Sequence, residues 1–197
     1  MRRLINHLPV IALFFILPLI LFFQQTIGGK TLLPTDNLYQ YEPYATYRDE
    51  LGVPEIPHNA LLSDLVLQNV HWKNFIRQSL SEGEIPLWNP HQLSGVPFLA
   101  AGQQSAFYPL GILYYVLPLA SAYGWFMVVN LGLAGALMYG YTLNVGINRL
   151  GGMVAGITYQ LCGFFIASGV HPMIIGAAVW LPFFLWMVEW IIKKKLL

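Results

Sequence analysis

The segment SDLVLQNVHW, residues 63–72, places ionisable and hydrogen-bonding side chains close together in a chain that is otherwise mostly apolar. Asp64 is a candidate general base, because a carboxylate can accept the proton of an attacking hydroxyl group. Gln68 follows four residues later, and His71 three residues after that. Each residue of an α-helix turns by about 100°, so these three side chains should share one face. The spacing thus predicts an acid and an amide one turn apart that point the same way.

The segment TDNLYQYEPY, residues 35–44, repeats the Asp-x3-Gln pattern with Asp36 and Gln40. Pro43 should end any helix here within two turns, because proline cannot continue a helix. Asp36 also has a structural interpretation as a helix N-cap. The repeated pattern therefore leaves two candidate acids, each with a structural alternative.

A helix is predicted over residues 63–81, with Ser63 or Asp64 as its N-cap. Its helical periodicity gives an apolar stripe and a neighbouring mixed stripe. The apolar stripe consists of Leu65, Trp72, Ile76 and Leu80, and the mixed stripe of Asp64, Gln68, His71 and Phe75. Lys73 and Arg77 are expected on the far side of this helix, away from Asp64.

The overall composition is that of a membrane protein. The mean hydropathy is +0.56 and only 10% of the residues are charged, whereas 56% are hydrophobic. Eight of the nine acidic residues lie between Asp36 and Glu84, so the polar part of the chain is concentrated in one region. No cluster of Lys and Arg is interleaved with aromatic residues, which argues against a nucleic-acid partner.

Three apolar runs have the roughly 20 residues that a bilayer-spanning helix needs: 121–144, 150–170 and 172–192. Residues 7–27 make a fourth candidate, preferred as an uncleaved signal anchor, with a cleavable signal peptide as the alternative. Residues 107–118 are too short to span and are bracketed by prolines, so an interfacial or re-entrant helix is predicted there.

The positive-inside rule gives an orientation for these spans. With Arg2 and Arg3 in the cytoplasm, the first helix exports the polar loop. If residues 107–118 do not span, Arg149 and the lysines at 193–195 return to the cytoplasmic side. If they do span, Arg149 and those lysines fall outside, so the four-span arrangement is preferred.

The predicted fold is an all-α membrane protein with about four transmembrane helices and a long extracytoplasmic first loop that contains short helices. Residues 1–27 are the anchor, and residues 28–106 are the loop carrying the candidate active site. Residues 107–119 are the interfacial helix. Residues 120–197 form a three-helix transmembrane region, expected to begin a longer bundle.

Polar residues inside the spans are few. Asn130 and Gln160 are expected to form interhelical hydrogen bonds, with a place on a substrate path as the alternative. Glu189 precedes Lys193 by one turn and is expected to pair with it. Small residues that permit close helix contact recur at four-residue spacing: Gly132, Ala136, Gly152 and Gly156.

Metal binding has weak support in the sequence. Cys162 is the single cysteine and is expected to pack as a small hydrophobe. His58, His71 and His91 have no diagnostic ligand spacing, either with one another or with the loop acids. No metal site is predicted, although a role for a divalent metal stays open.

The segment at residues 83–110 contains four prolines and three glycines and is therefore expected to form turns. Trp88 and Phe98 within it are expected to anchor the loop at the membrane interface. A long ordered loop of this kind is more often functional than a short one.

Several segments together resemble the YfhO family of bacterial polytopic membrane proteins, which look like members of the GT-C class of glycosyltransferases. The matching pieces are LLPTDNLYQYEPY, HNALLSDLVLQNVHWKNF, GEIPLWNPHQLSGVPFLA, QQSAFYPL and AGITYQLCGFFIASG. The resemblance covers nearly the whole chain and implies that this is the N-terminal portion of such a protein.

The resemblance implies transfer of a sugar from a polyprenyl-phosphate donor to a glycan or envelope-polymer acceptor on the outer face of the bacterial cytoplasmic membrane. It offers Asp64 as the catalytic base, with Asp36 as the second candidate. Gln68 and Asn89 would hold the sugar by hydrogen bonds, and Trp88 would stack on it. Lys73, Arg77 or Lys30 would stabilise the leaving phosphate. Gln40 and His71 complete the set of candidate substrate-binding residues.

The alternative is a non-enzymatic polytopic membrane protein, such as a transporter half or an envelope assembly factor, or an inactive fragment. In that case the two acids would be helix caps.

Overall fold

The computed structural model describes residues 7–57, 59 and 62–195, most of which are helical. The α-helices are, in chain order, α1 (Leu8–Leu21), α2 (Phe23–Thr26), α3 (Val70–Ser81), α4 (Phe98–Ala101), α5 (Leu113–Val116), α6 (Leu119–Asn144), α7 (Arg149–Gln160), α8 (Gly163–Ala167), α9 (Pro172–Ala178) and α10 (Leu181–Lys195). The 3-10 helices are Thr35–Gln40, Tyr44–Tyr47, Pro109–Ile112 and Ser168–Val170, and Leu65–Asn69 is a π-helix. Two short antiparallel strands, β1 (Trp88–Asn89) and β2 (Val96–Pro97), form a hairpin.

Three stretches of the described chain are long and apolar enough to cross a membrane: Leu119–Asn144, Arg149–Val170 and Pro172–Lys194. The mostly helical fold with apolar helices of spanning length is therefore confirmed, and these three helical stretches coincide with the runs predicted at 121–144, 150–170 and 172–192. Helix α1 is a shorter apolar helix of 14 residues, about 21 Å long. This is less than the roughly 30 Å of a bilayer core, although α2 follows it after one residue.

The second and third of these stretches are not continuous helices. The second breaks at residues 161–162, between α7 and α8, and the third breaks at residues 179–180, between α9 and α10. At the end of α9, the hydroxyl of Tyr159 donates a 2.8 Å hydrogen bond to the backbone oxygen of Ala178. A side chain thus satisfies a carbonyl at the helix end, as a break within a membrane requires.

The described chain divides into two compact units. The helical unit contains the described residues of 1–28 and 124–197, and the loop unit contains those of 29–123. The long helix α6 begins in the loop unit and continues into the helical unit.

Small residues bring the helices of the helical unit close together. A Cβ atom at Gly156 would lie 2.5 Å from Phe14 Cζ and 2.8 Å from the backbone oxygen of Gly135. Gly132 similarly lies against the ring of Phe15. The predicted close helix packing is therefore confirmed at Gly132 and Gly156.

The two polar residues singled out within the apolar runs, Gln160 and Asn130, both form buried hydrogen bonds. When the side-chain amide of Gln160 is oriented with its nitrogen facing the backbone oxygens of Leu131 and Phe14, it donates a 3.2 Å hydrogen bond to each of them. This interhelical role was predicted. Asn130 Nδ2, in contrast, donates to the backbone oxygen of Phe126 in its own helix, at 2.8 Å.

Two further predictions concern the pairing of Glu189 with Lys193 and the packing of Cys162. Lys193 and Glu189 form the predicted ion pair, with an N–O distance of 3.4 Å. Cys162 is a free, half-buried thiol at the break between α7 and α8.

The loop unit has a small hydrophobic core around helix α3. Ile76, Phe98 and Ala106 are buried at its centre, and partly buried side chains pack around them: Trp72, Phe75, Leu99 and Tyr115. Phe98 was predicted to anchor the loop at the interface, but it is only 3% exposed because it fills this core. The prediction for Phe98 is therefore wrong.

Residues 109–116 form the 3-10 helix Pro109–Ile112 and the one-turn helix α5, which are together too short to span a bilayer. Tyr114 belongs to the segment predicted as an interfacial or re-entrant helix, but it is buried inside the loop unit. Burial raises its pKa well above the usual value of 10.0. Tyr115 is half-buried and donates a 2.9 Å hydrogen bond to the backbone oxygen of Ala106.

Candidate functional site

The predicted helix over residues 63–81 is present, but it begins with the π-helix Leu65–Asn69 before α3. In a π-helix the hydrogen bonds run from residue i to i+5, and such turns often occur at functional sites. Asp64 stands at the helix start with an exposed side chain that makes no capping hydrogen bond. The N-cap interpretation of Asp64 is therefore not supported, and its carboxylate stays exposed.

The face of α3 that carries Lys73 is buried rather than solvent-facing. Lys73 is only 2% exposed, and its Nζ atom donates a 2.6 Å hydrogen bond to the backbone oxygen of Gln104. It also lies 4.8 Å from the centre of the Tyr114 ring. Burial lowers the pKa of Lys73 to about 8, because the charged form loses its hydration. Lys73, predicted on the side of the helix away from Asp64, therefore lies in the interior of the loop unit, whereas Asp64 is exposed.

Other polar side chains near Lys73 also form hydrogen bonds around the buried face of α3. Gln104 Nε2 donates a 2.7 Å hydrogen bond to the backbone oxygen of Phe98. The Tyr123 hydroxyl donates a 2.7 Å bond to the buried Asn69 Oδ1. Arg77 is half-buried, with Nη1 3.3 Å from the backbone oxygen of Leu117. These side chains hold α3 against the chain segments around it.

The opposite, exposed side of α3 forms one wall of a groove. The groove has a volume of about 430 Å³ and lies between α3 and the turn that follows β1. Seven of its lining side chains are amides or imidazoles: Gln68, His71, Asn74, Gln78, Asn89, His91 and Gln92. The others are Leu67, Trp72 and Phe75, so among the residues that the structure describes no acidic or permanently charged side chain lines the groove.

Three of the candidate substrate-binding residues predicted from the sequence line the groove. Gln68 and His71 come from the helix, and Asn89 comes from β1. Asn89 Oδ1 accepts a 2.9 Å hydrogen bond from the backbone nitrogen of His91, which fixes the side chain in a local turn. In the described part of the chain, Asn89 Nδ2 has no hydrogen-bond partner, so it remains available as a donor.

A second cavity of about 390 Å³ adjoins this groove. Phe75, Gln78 and His91 line both. The remaining lining residues of the second cavity are Ser79, Glu82, Glu84, Ile85, Pro86, Leu87, Trp88 and Pro90. Trp88, predicted to contact the ligand, therefore belongs to this neighbouring cavity.

Aromatic contacts fix the shared wall. The rings of Phe75 and His91 meet edge to face, with centroids 5.9 Å apart. On its other side, Phe75 meets the buried ring of Phe98 in the same geometry, at 4.9 Å. The loop-unit core thus supports the wall between the two cavities.

The second Asp-x3-Gln segment has a different geometry from the first. Residues 35–40 form a 3-10 helix, in which each residue turns by about 120°. Asp36 and Gln40 therefore point about 120° apart, and the expected common direction is wrong for this pair. Asp36 is half-buried in the first turn of this helix, Gln40 is exposed, and neither lines the groove or the second cavity.

No metal-ligand set is evident. Among the residues that the structure describes, no three His, Cys, Asp or Glu side chains come together in a way that could hold a metal ion. His58, one of the predicted candidates, lies outside the described residues.

Four of the polar groove residues, Asn74, Gln78, His91 and Gln92, were not predicted from the sequence as binding residues. Asn74 and Gln78 follow His71 at positions i+3 and i+7, so the helical periodicity that selected Gln68 and His71 would have included them. His91 and Gln92 carry no such signal, because their position depends on the turn that returns the chain to α3.

Comparison of the chain with protein-family models, curated proteins and solved structures finds no match.

Proposed function

We propose that the loop unit binds a sugar in the groove between α3 and residues 89–92, and that the protein is a GT-C-like glycosyltransferase using a polyprenyl-phosphate-linked sugar. The observation that carries the proposal is the lining of the groove, seven amide or imidazole side chains with two aromatic rings. The resemblance of the sequence to the YfhO family adds the donor class.

The lining matches the chemistry of a sugar. Sugar hydroxyls both donate and accept hydrogen bonds, and neutral amides and imidazoles do the same. The apolar faces of a sugar ring can pack on Trp72 and Phe75. Since none of the described lining residues carries a permanent charge, the groove favours a neutral polyhydroxylated group over a phosphate.

The helical unit offers a separate feature that suits a lipid-linked donor. An apolar groove of about 550 Å³ lies on the two broken membrane-length stretches. It is lined by Phe164, Met173, Ile174, Ala177, Ala178, Leu181 and Phe184. Such a lining fits an isoprenoid chain, whose burial is favoured in proportion to its apolar area.

In the proposed reaction, an acceptor hydroxyl attacks the anomeric carbon and its proton passes to a carboxylate, while the bond to the polyprenyl phosphate breaks. Asp64 is the first candidate for the base, because it is exposed and stands four residues before the groove residue Gln68. Asp36 is the second candidate. The exposed Lys30 is the better candidate for stabilising the leaving phosphate, since Lys73 and Arg77 bond to backbone carbonyls.

The proposed location is the bacterial cytoplasmic membrane. The N-terminus would lie inside and the loop unit outside, with α1 and α2 as part of a fourth span and residues 109–116 at the interface. The charge distribution of the sequence supports this orientation.

A second candidate function is sugar binding without transfer. It is favoured by the lining of the groove, because the lining residues that the structure describes include no carboxylate. In this case the protein would hold or present a glycan at the outer face of the membrane.

The test is sugar transfer by the protein reconstituted in liposomes, with radiolabelled polyprenyl-phosphate sugars and a cell-envelope extract as acceptor. Asp64→Asn should reduce the transfer rate by about 10²- to 10⁴-fold if Asp64 is the base. Asp49→Asn is the matched control, because Asp49 is an exposed loop acid outside both cavities.

The outcomes separate the two candidate functions. Transfer that survives both Asp64→Asn and Asp36→Asn would overturn the assignment of the base. Sugar binding that depends on Gln68 and Asn89, without detectable transfer by the wild-type protein, would support the binding-only function.

A further inference from the structure

We propose that the second cavity, lined by Trp88, Glu82 and Glu84, is a second sugar subsite next to the groove. The ligand would then be a glycan of two or more sugars, and the sugar in the second subsite would be neutral or amine-bearing rather than anionic. This inference rests on the proposed sugar-binding function and specifies its substrate class.

The first argument is adjacency. Phe75, Gln78 and His91 line both cavities, so the two cavities lie on either side of one shared wall and a ligand longer than one sugar can extend from the groove over that wall into the second cavity. The volumes of about 430 and 390 Å³ are similar, and each alone lies within the range of small-molecule sites. Two adjoining compartments of similar size fit successive sugar units of one chain.

The second argument is the position of the Trp88 indole. A Cβ atom at Gly95 would lie 2.6 Å from both Cζ2 and Nε1 of Trp88, so the indole rests against a residue that has no side chain. Gly95 also has a φ of +114°, which residues with a side chain rarely adopt. Trp88 is nevertheless 55% exposed. Gly95 thus supports an aromatic surface that remains open for a sugar ring to stack on.

The third argument is the charge of the second cavity. Glu82 and Glu84 are the charged side chains among its described lining residues, which include neither Lys nor Arg. Glu82 Oε1 accepts a 3.1 Å hydrogen bond from Gln78 Nε2 on the shared wall, which holds one carboxylate in place. Carboxylates accept hydrogen bonds from hydroxyl and ammonium groups and repel phosphate or uronate groups. The cavity therefore selects against anionic sugars.

The test uses the full chain in nanodiscs and an immobilised glycan panel with neutral, amine-bearing and uronate-containing members, each as a monosaccharide and as an oligosaccharide. Neutral or amine-bearing oligosaccharides should bind at least about tenfold more tightly than their monosaccharides. Trp88→Ala should weaken oligosaccharide binding about tenfold and leave monosaccharide binding unchanged. Glu82→Gln combined with Glu84→Gln should reduce the preference for amine-bearing over uronate-containing glycans.

The matched control is Tyr47→Ala, since Tyr47 is a similarly exposed aromatic residue of the loop unit that lines neither cavity. Equal affinity for monosaccharides and oligosaccharides, with no effect of Trp88→Ala, would overturn the second subsite while leaving the proposed function intact. Preferential binding of uronate-containing glycans would overturn the charge selection. Failure to bind any glycan would instead count against the proposed function itself.

Discussion

The ammonium group of Lys73 donates a 2.6 Å hydrogen bond to the backbone oxygen of Gln104 inside the loop unit. Gln104 in turn donates to the backbone oxygen of Phe98, which lies in the core that supports the groove. A charged side chain thus connects the buried face of α3 to the segment that holds the groove wall in place.

This buried lysine should make the stability of the loop unit depend on pH. The pKa of Lys73 is lowered from 10.5 to about 8 in the folded chain, so between these values the unfolded chain binds more protons. Stability should therefore rise as the pH increases from 8, because the roughly 3 kcal/mol penalty of keeping Lys73 charged is progressively removed. Urea titrations followed by limited proteolysis within the loop should show this rise between pH 7 and 9.5.

Lys73→Met should abolish that rise, whereas Lys30→Met should preserve it because Lys30 is exposed. The upper pH limit matters, because the raised pKa of Tyr114 makes stability fall as the pH increases above 10. The same pH dependence in wild type and Lys73→Met would show that another group is responsible.

The bond between Tyr123 and Asn69 leads to a second prediction. Tyr123→Phe would leave the buried Asn69 Oδ1 without its 2.7 Å donor, at a cost of about 1–3 kcal/mol in unfolding free energy. Tyr115→Phe is the matched control, because Tyr115 is half-buried and water can replace its bond to Ala106. A larger loss for Tyr115→Phe, measured by the same urea titration, would contradict this ranking.

Gly95 should be required for glycan binding although it is not proposed to contact the ligand. Gly95→Ala introduces a Cβ into the space occupied by the Trp88 indole, and should weaken oligosaccharide binding as much as Trp88→Ala does. Gly52→Ala is the control, since Gly52 also has a positive φ but a Cβ added there would have no neighbouring atom within 4 Å. Equal effects of the two substitutions on the glycan panel would show that backbone strain, not Trp88 placement, is responsible.

The proposed orientation can be tested by cysteine labelling in a Cys162→Ala background. Ser94→Cys in the loop unit should react with a membrane-impermeant maleimide added to intact cells. Ile147→Cys should react only after the membrane is opened. Residue 147 is preferred to Asn148, because Asn148 Oδ1 accepts a 2.9 Å bond from Gly151 N and caps α7. Labelling of Ile147→Cys in intact cells, or protection of Ser94→Cys there, would contradict the orientation.

The elements that have a long apolar run or a helical hydrophobic period in their sequence were predictable. The three membrane-length stretches follow from apolar runs, and the helix after Asp64 follows from its periodicity. The breaks at residues 161–162 and 179–180 were not predicted, because the apolar character of the chain continues through them.

The candidate site was predictable on the helix but not beyond it. Gln68 and His71 share a groove because helical spacing places them on one face. Their proximity to Asn89 depends on the tertiary packing of the hairpin. The burial of Lys73 was not predictable for the same reason, since periodicity separates the two faces of α3 but does not say which face the rest of the chain will cover. The 3-10 geometry of Asp36 and Gln40 was equally hidden, because Asp-x3-Gln is compatible with more than one helix type.

The most direct test of sugar binding in the groove is photo-crosslinking in nanodiscs with a polyprenyl-phosphate sugar that carries a diazirine on the sugar ring. Mass spectrometry of the crosslinked peptides should locate the sugar at residues 67–78 and 89–92. The combined substitution of Gln68→Ala and Asn89→Ala should remove most of this labelling. Crosslinks confined to other parts of the chain, with the same yield in the double variant, would contradict the proposed site.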